Sequence, residues 1–285
     1  MTIDLTVMHG CQNRFAIVDE DVMPIPEARM SGLVRTICAR LDVHGVLFLS
    51  TTGGPRMRIF DRDGTEATMC GNGIRCAARY FRDHGRVAGS SFMIATLDGA
   101  KRVSLESRWV TVDMGPARGY HRVAEGRYFA FTGIPHLVVL TNRVSLPTAR
   151  AEGRRLRYDR TLCTGLGYPD GVHVNFVQIH SDRSLSVLTY EAGVEDVTPA
   201  CGTGSTAAAY VCARIGQTSF PVIVRLLYGE LVIEATGDAL AMRGPAQYLS
   251  PFALQWPVET IRFRPSLASR DPLLSLAGAS IVERD

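Results

Sequence analysis

Met69-Cys70-Gly71-Asn72-Gly73, continued by Ile74-Arg75-Cys76-Ala77-Ala78-Arg79-Tyr80, is echoed by Ala200-Cys201-Gly202-Thr203-Gly204, continued by Ser205-Thr206-Ala207-Ala208-Ala209-Tyr210. Each stretch places a cysteine at the mouth of a Gly-x-Gly turn that opens a small-residue helix. A strand-like run precedes each one, Met57-Arg58-Ile59-Phe60 in the first case and Leu185-Ser186-Val187-Leu188-Thr189-Tyr190 in the second. An acidic, glycine-containing loop joins run to cysteine both times. The repeat of strand, acidic loop, cysteine and helix predicts two copies of one α/β unit. Residues 45–49, 110–114, 222–227 and 230–235 add further short strand-like runs between polar turns. Residues 205–215 are apolar nearly all round, which predicts a helix buried in the middle of its half and wrapped by strands. The junction between halves is expected near Gly115-Pro116-Ala117-Arg118-Gly119.

At 285 residues the chain has room for two domains. Its 46% hydrophobic and 21% charged residues describe a globular protein with ample core-forming material. The formal net charge of +3 is spread thinly, without the concentrated basic face of a nucleic-acid binder. No window approaches the roughly 20 apolar residues of a membrane span, and the N-terminus lacks a basic-then-apolar secretory leader. Seven cysteines, an odd number in a long chain, argue against a disulfide framework and for a reducing cytoplasm. None are paired at C-x₂₋₄-C spacing, so no metal site is expected. Lys101 is the only lysine. A pyridoxal-phosphate enzyme would need it as its Schiff-base residue, but its place after a turn signal, at the start of a strand-like run, argues against that role.

A helix N-terminus offers unpaired N–H groups and the positive end of the dipole. A carboxylate can dock there because glycines let the backbone approach it. A cysteine there is expected to have a lowered pKa, favouring the thiolate. If both mouths face one cavity, a substrate carboxylate sits between them with a sulfur on either side of its α-carbon. One thiolate then removes the α-proton, the opposite thiol donates one, and the carbon is inverted. Cysteine is also an ordinary core residue. That plainer reading is taken for Cys38, Cys76, Cys163 and Cys212, which lie outside the repeated turn.

Over roughly residues 5–254 the chain resembles the diaminopimelate epimerase family of two-thiol, cofactor-independent enzymes. The resemblance rests on Met8-His9-Gly10 with Asn13 and Phe15, on Met57-Arg58-Ile59-Phe60 with Asp63-Gly64, Glu66 and Cys70-Gly71-Asn72-Gly73, on Gly133-Ile134-Pro135-His136, and on Tyr190-Glu191 through Cys201-Gly202-Thr203-Gly204. It implies an α/β (α+β) fold of two pseudo-symmetric domains, each a mostly antiparallel sheet wrapped around a central helix. The expected division is residues 1–116 with Cys70, residues 117–245 with Cys201, a strand at 246–254 returning to the first domain, and an appendage at 255–285. The resemblance also implies Cys70 and Cys201 as the acid–base pair, with His136 and Glu191 tuning their protonation. Asn13, Gly71, Asn72, Gly202 and Thr203 would surround a small-molecule amino acid. No cofactor, nucleic acid or membrane is expected, and the sequence leaves room for a homodimer.

The resemblance is poorest at positions the family uses for the far end of diaminopimelate. Ala192 stands in place of the arginine of Y-E-R-G, Ile134 in place of the asparagine of G-N-P-H, and Asp61 and His173 in place of two further asparagines. Losing the arginine removes a bidentate partner for a second carboxylate. Asp61 would repel that carboxylate and favour hydrogen-bond donors, so Asp61 and His173 are expected in the substrate pocket. The expectation is a racemase for an amino acid with a ureido, amide, amino or imidazole tail. The family's O-ureidoserine racemase of D-cycloserine (antibiotic) biosynthesis is the nearest specific guess, with histidine racemases as relatives of the same sort. Other readings are a diaminopimelate epimerase with a rebuilt distal pocket, a proline racemase-type enzyme, and an amino-acid- or metal-binding protein using the same helix mouths.

Overall fold

The computed structural model describes residues 2–255 and 261–263. The first half opens with β1 (Thr2–Gly10) and β2 (Asn13–Asp19) and crosses through helix α1 (Glu27–Leu41) to β3 (Gly45–Ser50). It turns back along β4 (Arg56–Asp61) and β5 (Glu66–Ala67), enters helix α2 (Gly71–Asp83), and closes with β6 (Ser91–Thr96), β7 (Gly99–Glu106) and β8 (Trp109–Pro116). The second half begins with β9 (Arg118–Ala124), β10 (Arg127–Phe131) and β11 (Pro135–Leu140). It crosses through α3 (Leu146–Arg157) and α4 (Arg160–Gly165) to β12 (His173–Ser181), β13 (Ser184–Glu191) and β14 (Asp196–Val197). Helix α5 (Gly202–Arg214) follows, then β15 (Val222–Leu226), β16 (Gly229–Thr236) and β17 (Ala239–Pro245). The chain returns as β18 (Gln247–Gln255) and β19 (Ile261–Phe263).

The two halves share one pairing scheme. β2 lies parallel to β3 as β11 does to β12. β4 lies parallel to β6 as β13 does to β15. Parallel neighbours need a long crossover, and helices supply it: α1 and α3–α4 in the first case, α2 and α5 in the second. The remaining steps are antiparallel hairpins. β8 and β17 pair antiparallel, from Trp109 opposite Pro245 to Pro116 opposite Ala239, and weld the halves into one ladder. β18 pairs with β1 in the first half as β9 pairs with β10 in the second. The expected strand runs coincide with β3, β4, β8, β13, β15 and β16, except that Leu227 lies in the turn after β15.

Each half wraps its sheet around a helix of small residues. α2 buries every residue from Gly71 to Ala78, and α5 every residue from Gly202 to Ala209. Alanine and glycine on all sides let strands approach the helix backbone, so the helix runs through the core rather than over it. Outer helices cover the far sheet faces. Met30, Leu33, Val34, Ile37 and Cys38 of α1 recur at helical spacing and pack on Ile3, Leu5, Val46 and Phe48. Burying one such Leu, Ile or Phe side chain contributes about 1.5–3 kcal/mol. In α3, Gly153 sits so close to β13 that a Cβ there would lie 2.6 Å from Tyr190 Cβ. Cys38, Cys76, Cys163 and Cys212 are all buried among apolar side chains.

No helix among the described residues is long and apolar enough to cross a membrane. Of the expected appendage at 255–285, Gln255 ends β18 and Ile261–Phe263 pairs with it; the rest lies outside the described residues.

Candidate active site

The repeated motif has a local purpose. Cys70 is the N-cap of α2, with extended dihedrals (φ −140, ψ 120), and its Sγ accepts the Gly73 N–H at 3.4 Å. Cys201 is the N-cap of α5 in the same conformation (φ −118, ψ 113), and its Sγ accepts the Gly204 N–H at 3.4 Å. Each thiol therefore stands where serine or aspartate usually caps a helix.

The two mouths meet. A Cβ on Gly71 would lie 3.4 Å from Gly202 Cα and 2.9 Å from Met242 Cε, and one on Gly202 would lie 2.7 Å from Met242 Sδ. Glycine at both positions is what lets the backbones touch. Side chains tie the halves across this contact. Asn72 Nδ2 donates to the Ala200 carbonyl at 2.8 Å, and Thr132 Oγ1 to the Thr203 carbonyl at 2.9 Å. Behind Asn72 lies Arg75, 0% exposed. It donates to Asn72 Oδ1 (2.8 Å), the Gly71 carbonyl (3.0 Å) and the Pro245 carbonyl (3.2 Å), and it makes no ion pair among the described residues. The β1–β2 turn that carries Asn13 packs on the same corner, since a Cβ on Gly10 would sit 3.4 Å from Asn72 Cβ.

Strand register assembles the other expected residues. His136 of β11 stands opposite His173 of β12, with ring centroids 5.2 Å apart. Val174 pairs with Tyr190, so continuing that register by one residue brings Glu191 beside His173. Glu191 accepts hydrogen bonds from Thr198 Oγ1 and from the Cys201 thiol. The same positions in the first half are Phe15, Gly45 and Asp61. Asp61 ends β4 with its carboxyl partly desolvated, near enough for its charge to push up both Cys70 and Glu191. Ile134 lines a recess with Thr203, Met69 and Lys101, and Ala192 follows Glu191 half-buried. Lys101 Nζ is held 2.7 Å from Asp98 Oδ2. The larger hollow beside Leu140, Thr141 and Ile179 lies at the opposite end of β11 from His136 and has no titratable lining.

Three buried polar atoms here have no hydrogen-bond partner among the described residues: Asn13 Oδ1, His136 Nε2 and His173 Nδ1. Buried polar groups are nearly always paired, so this cluster suits a polar ligand. No group of three His, Cys, Asp or Glu residues converges as a metal cage among the described residues.

The electrostatics overturn one expectation. Neither thiol has a lowered pKa. Burial pushes Cys70 up to about 11, against the pull of the Gly73 N–H and with a further push from Glu191. Burial raises Cys201 well above the ordinary thiol value, and Glu191 adds to it. A helix end lowers a thiol pKa only where solvent or a cation helps carry the charge. Here desolvation wins, and the nearby charges are carboxylates. Burial pushes Glu191 up to about 7. Burial, with Asp63 adding to it, pushes Asp61 up to about 6. Burial, reinforced by His173, holds His136 far below the usual range, and burial with Arg157 brings His173 to about 4. Both imidazoles are therefore neutral at pH 7. The site can hold two thiols, a carboxyl group near its titration point, and a carboxylate ligand at two helix ends.

Sequence reasoning missed Arg75, Thr198, Asn175 and Thr189. Arg75 carried a weak signal, a long cation among the small residues of the first two turns of α2. Thr198 and Thr189 carried none.

The family described as diaminopimelate epimerase matches residues 5–119 and 128–249. The diaminopimelate epimerase of Archaeoglobus fulgidus is 36% identical over 272 residues, spanning 86% of this chain and 94% of its own. That of Methanocella arvoryzae is 34% identical over 269 residues, spanning 86% and 94%. A phenazine biosynthesis protein of the PhzF family from Bacillus anthracis shares the fold, with TM-score 0.72 at 14% identity over 90% of this chain and 99% of that one. So does a hydroxyproline epimerase from Agrobacterium vitis, with TM-score 0.62 at 15% identity over 89% and 91%.

Proposed function

The chain belongs to the diaminopimelate epimerase family, and on that premise we propose that it inverts the α-carbon of an amino acid with Cys70 and Cys201 as its acid–base pair. It is an isomerase of the pyridoxal-independent epimerase and racemase class. The observation that carries the residue assignment is the meeting of two thiol-capped helix mouths at Gly71 and Gly202.

The substrate carboxylate docks on the N–H groups at the two mouths, where the helix ends stabilise charge as the α-carbon is deprotonated. For one enantiomer the Cys201 thiol gives its proton to Glu191, and the resulting thiolate takes the α-proton. Cys70 delivers its own proton to the opposite face and is left as the thiolate. The reverse sequence serves the other enantiomer. Glu191 suits this exchange because its pKa lies near 7 and it already accepts a hydrogen bond from Cys201. Asn13, His173 and Thr203 are the proposed polar partners of the bound amino acid; Asn13 and His173 each carry a buried polar atom without a partner among the described residues.

The names of the curated relatives favour diaminopimelate, LL to meso, as the substrate, ahead of O-ureidoserine. A second reading rests on the side chains at Asp61, Ile134, His173 and Ala192. An acid whose charge reaches Cys70 and Glu191, with no arginine after Glu191, favours a donor-bearing tail such as that of O-ureidoserine (the D-cycloserine, antibiotic-biosynthesis assignment) or histidine. One experiment separates the two. The reduced protein is incubated in D₂O with LL-diaminopimelate, O-ureido-L-serine and L-histidine in turn. Loss of the α-proton and appearance of the inverted isomer are followed by NMR and chiral chromatography. Turnover of diaminopimelate alone supports the first reading and turnover of the donor-tailed amino acids alone the second. Exchange that survives loss of both thiols overturns the mechanism.

A further inference from the structure

We propose that Asn175 is a positioning residue whose amide locks His136 in the tautomer protonated on Nε2, so that the ring offers a hydrogen-bond donor, not a base, to the anion bound at the thiols. The inference rests on the function proposed above for the identity of that anion, but not for the tautomer.

Asn175 lies on β12 and is 0% exposed. Its amide orientation follows from its neighbours. The Leu137 carbonyl, 3.1 Å away, can only accept, so the atom facing it is Nδ2. Thr189 Oγ1 then donates to Oδ1 at 2.9 Å. The second hydrogen on Nδ2 points to His136 Nδ1 at 3.1 Å. Nδ1 must present its lone pair to that hydrogen. Both histidine and amide are buried, so no water competes. In a neutral imidazole the proton therefore resides on Nε2. A base role is closed at both nitrogens, because one lone pair is occupied and the other nitrogen carries hydrogen.

Nε2 is also the atom left unpaired and buried among the described residues. A buried donor without a partner implies an acceptor that arrives with the bound molecule. The amide is seated against the turn that carries the thiol. A Cβ on Gly204 would come 2.2 Å from Asn175 Oδ1, 3.0 Å from Thr189 Oγ1 and 3.2 Å from Cys201 Sγ. One buried network thus sets the tautomer of His136 and abuts the Cys201 mouth. The function proposed above supplies an anionic acceptor, a thiolate or the substrate carboxylate.

The first test needs no substrate. Full-length protein labelled with ¹⁵N-histidine is examined by long-range ¹H–¹⁵N NMR at pH 7, with His136 assigned by the signals lost in His136→Gln. The expected result is a neutral ring protonated on Nε2. A ring protonated on Nδ1, or an imidazolium, overturns the proposal. The second test uses Asn175→Asp, whose carboxylate cannot donate, and Asn175→Leu, which removes the partner without adding charge. Asn175→Asp should flip the tautomer to Nδ1–H. Both variants should lower kcat for α-proton exchange at least tenfold while KM moves less than threefold. A flipped tautomer with unchanged kcat overturns the donor role. If no amino acid is turned over, the proposed function fails while the wild-type spectrum still decides the tautomer. That spectrum also decides it should either variant fail to fold.

Discussion

The Cys70 mouth and the Cys201 mouth share one backbone and differ in what surrounds it. Both thiols cap a helix and accept the N–H of its third residue at 3.4 Å. Beside Cys201 the strands bring His136, His173 and Glu191 into a row, whereas the matching positions of the first half are Phe15, Gly45 and Asp61. Cys201 is buried and has Thr203 Oγ1 at 3.5 Å; Cys70 is half-buried. Duplication thus gives two equivalently placed thiols, the proton carriers of the proposed function, but the groups beside them are concentrated on one side. The lesson is that the geometry of inversion can be symmetric while the proton supply is not.

The largest expected effect tests the symmetric part. Cys70→Ser and Cys201→Ser should each reduce α-proton exchange by about 10⁴-fold, the upper end for an essential acid–base group. Equal activity in one variant and the wild type would show that the mouths are not partners. Next, Glu191→Gln tests the asymmetric part and should cost about 10²-fold. In the proposed mechanism Glu191 works as the carboxylate, and burial pushes its pKa up to about 7, so wild-type kcat/KM should rise with pH through about 7 and the variant should lose that limb. Stability gives an independent check with the sign fixed. The folded state keeps the Glu191 proton between the ordinary 4.5 and about 7, so burying the group destabilises the protein increasingly across that window and fully above it. Urea melts should show Glu191→Gln more stable than the wild type above pH 7 and no more stable below 4.5.

Smaller effects probe the contact between the mouths. Gly202→Ala drives a methyl into Met242 Sδ and should cost about 1–3 kcal/mol in urea melts. Asn72→Ala leaves the Ala200 carbonyl and one Arg75 N–H unpaired, a loss of about 1–3 kcal/mol. A melt unchanged from the wild type in either variant would mean that the halves are held by the β8–β17 ladder alone. The smallest change is expected from Asp61→Asn, since its carboxylate acts on Cys70 and Glu191 only through its charge. It should shift the ratio of kcat/KM for diaminopimelate over a donor-tailed amino acid upward by about tenfold, on the order of one charged hydrogen bond. A ratio that stays constant removes Asp61 from substrate selection.

Much of this was legible in the linear chain because it is encoded by short-range pattern. Cysteine followed by Gly-x-Gly caps a helix at both of its occurrences here, and its repetition specified two halves. The small residues after each cysteine specified helices that strands could surround. The outer helices α1 and α3 were harder to see, though the spacing of Met30, Leu33, Val34 and Ile37 holds the signal for α1. The strand at Ile261–Phe263 was not anticipated either, because its pairing with β18 is a tertiary event.

The sequence by itself determined the two thiols, the glycines that let their helices touch, and the family to which such a pair belongs. Tertiary structure decided the protonation of every group there. The helix ends predicted lowered thiol pKa values, yet burial and Glu191 raise them, since desolvation is set by everything packed around a site rather than by its neighbours in sequence. The same holds for His136. Its place after a Gly-Ile-Pro turn marked it as a candidate, but its tautomer depends on an amide two strand positions beyond His173, and only the parallel register of β11 with β12 brings the two together.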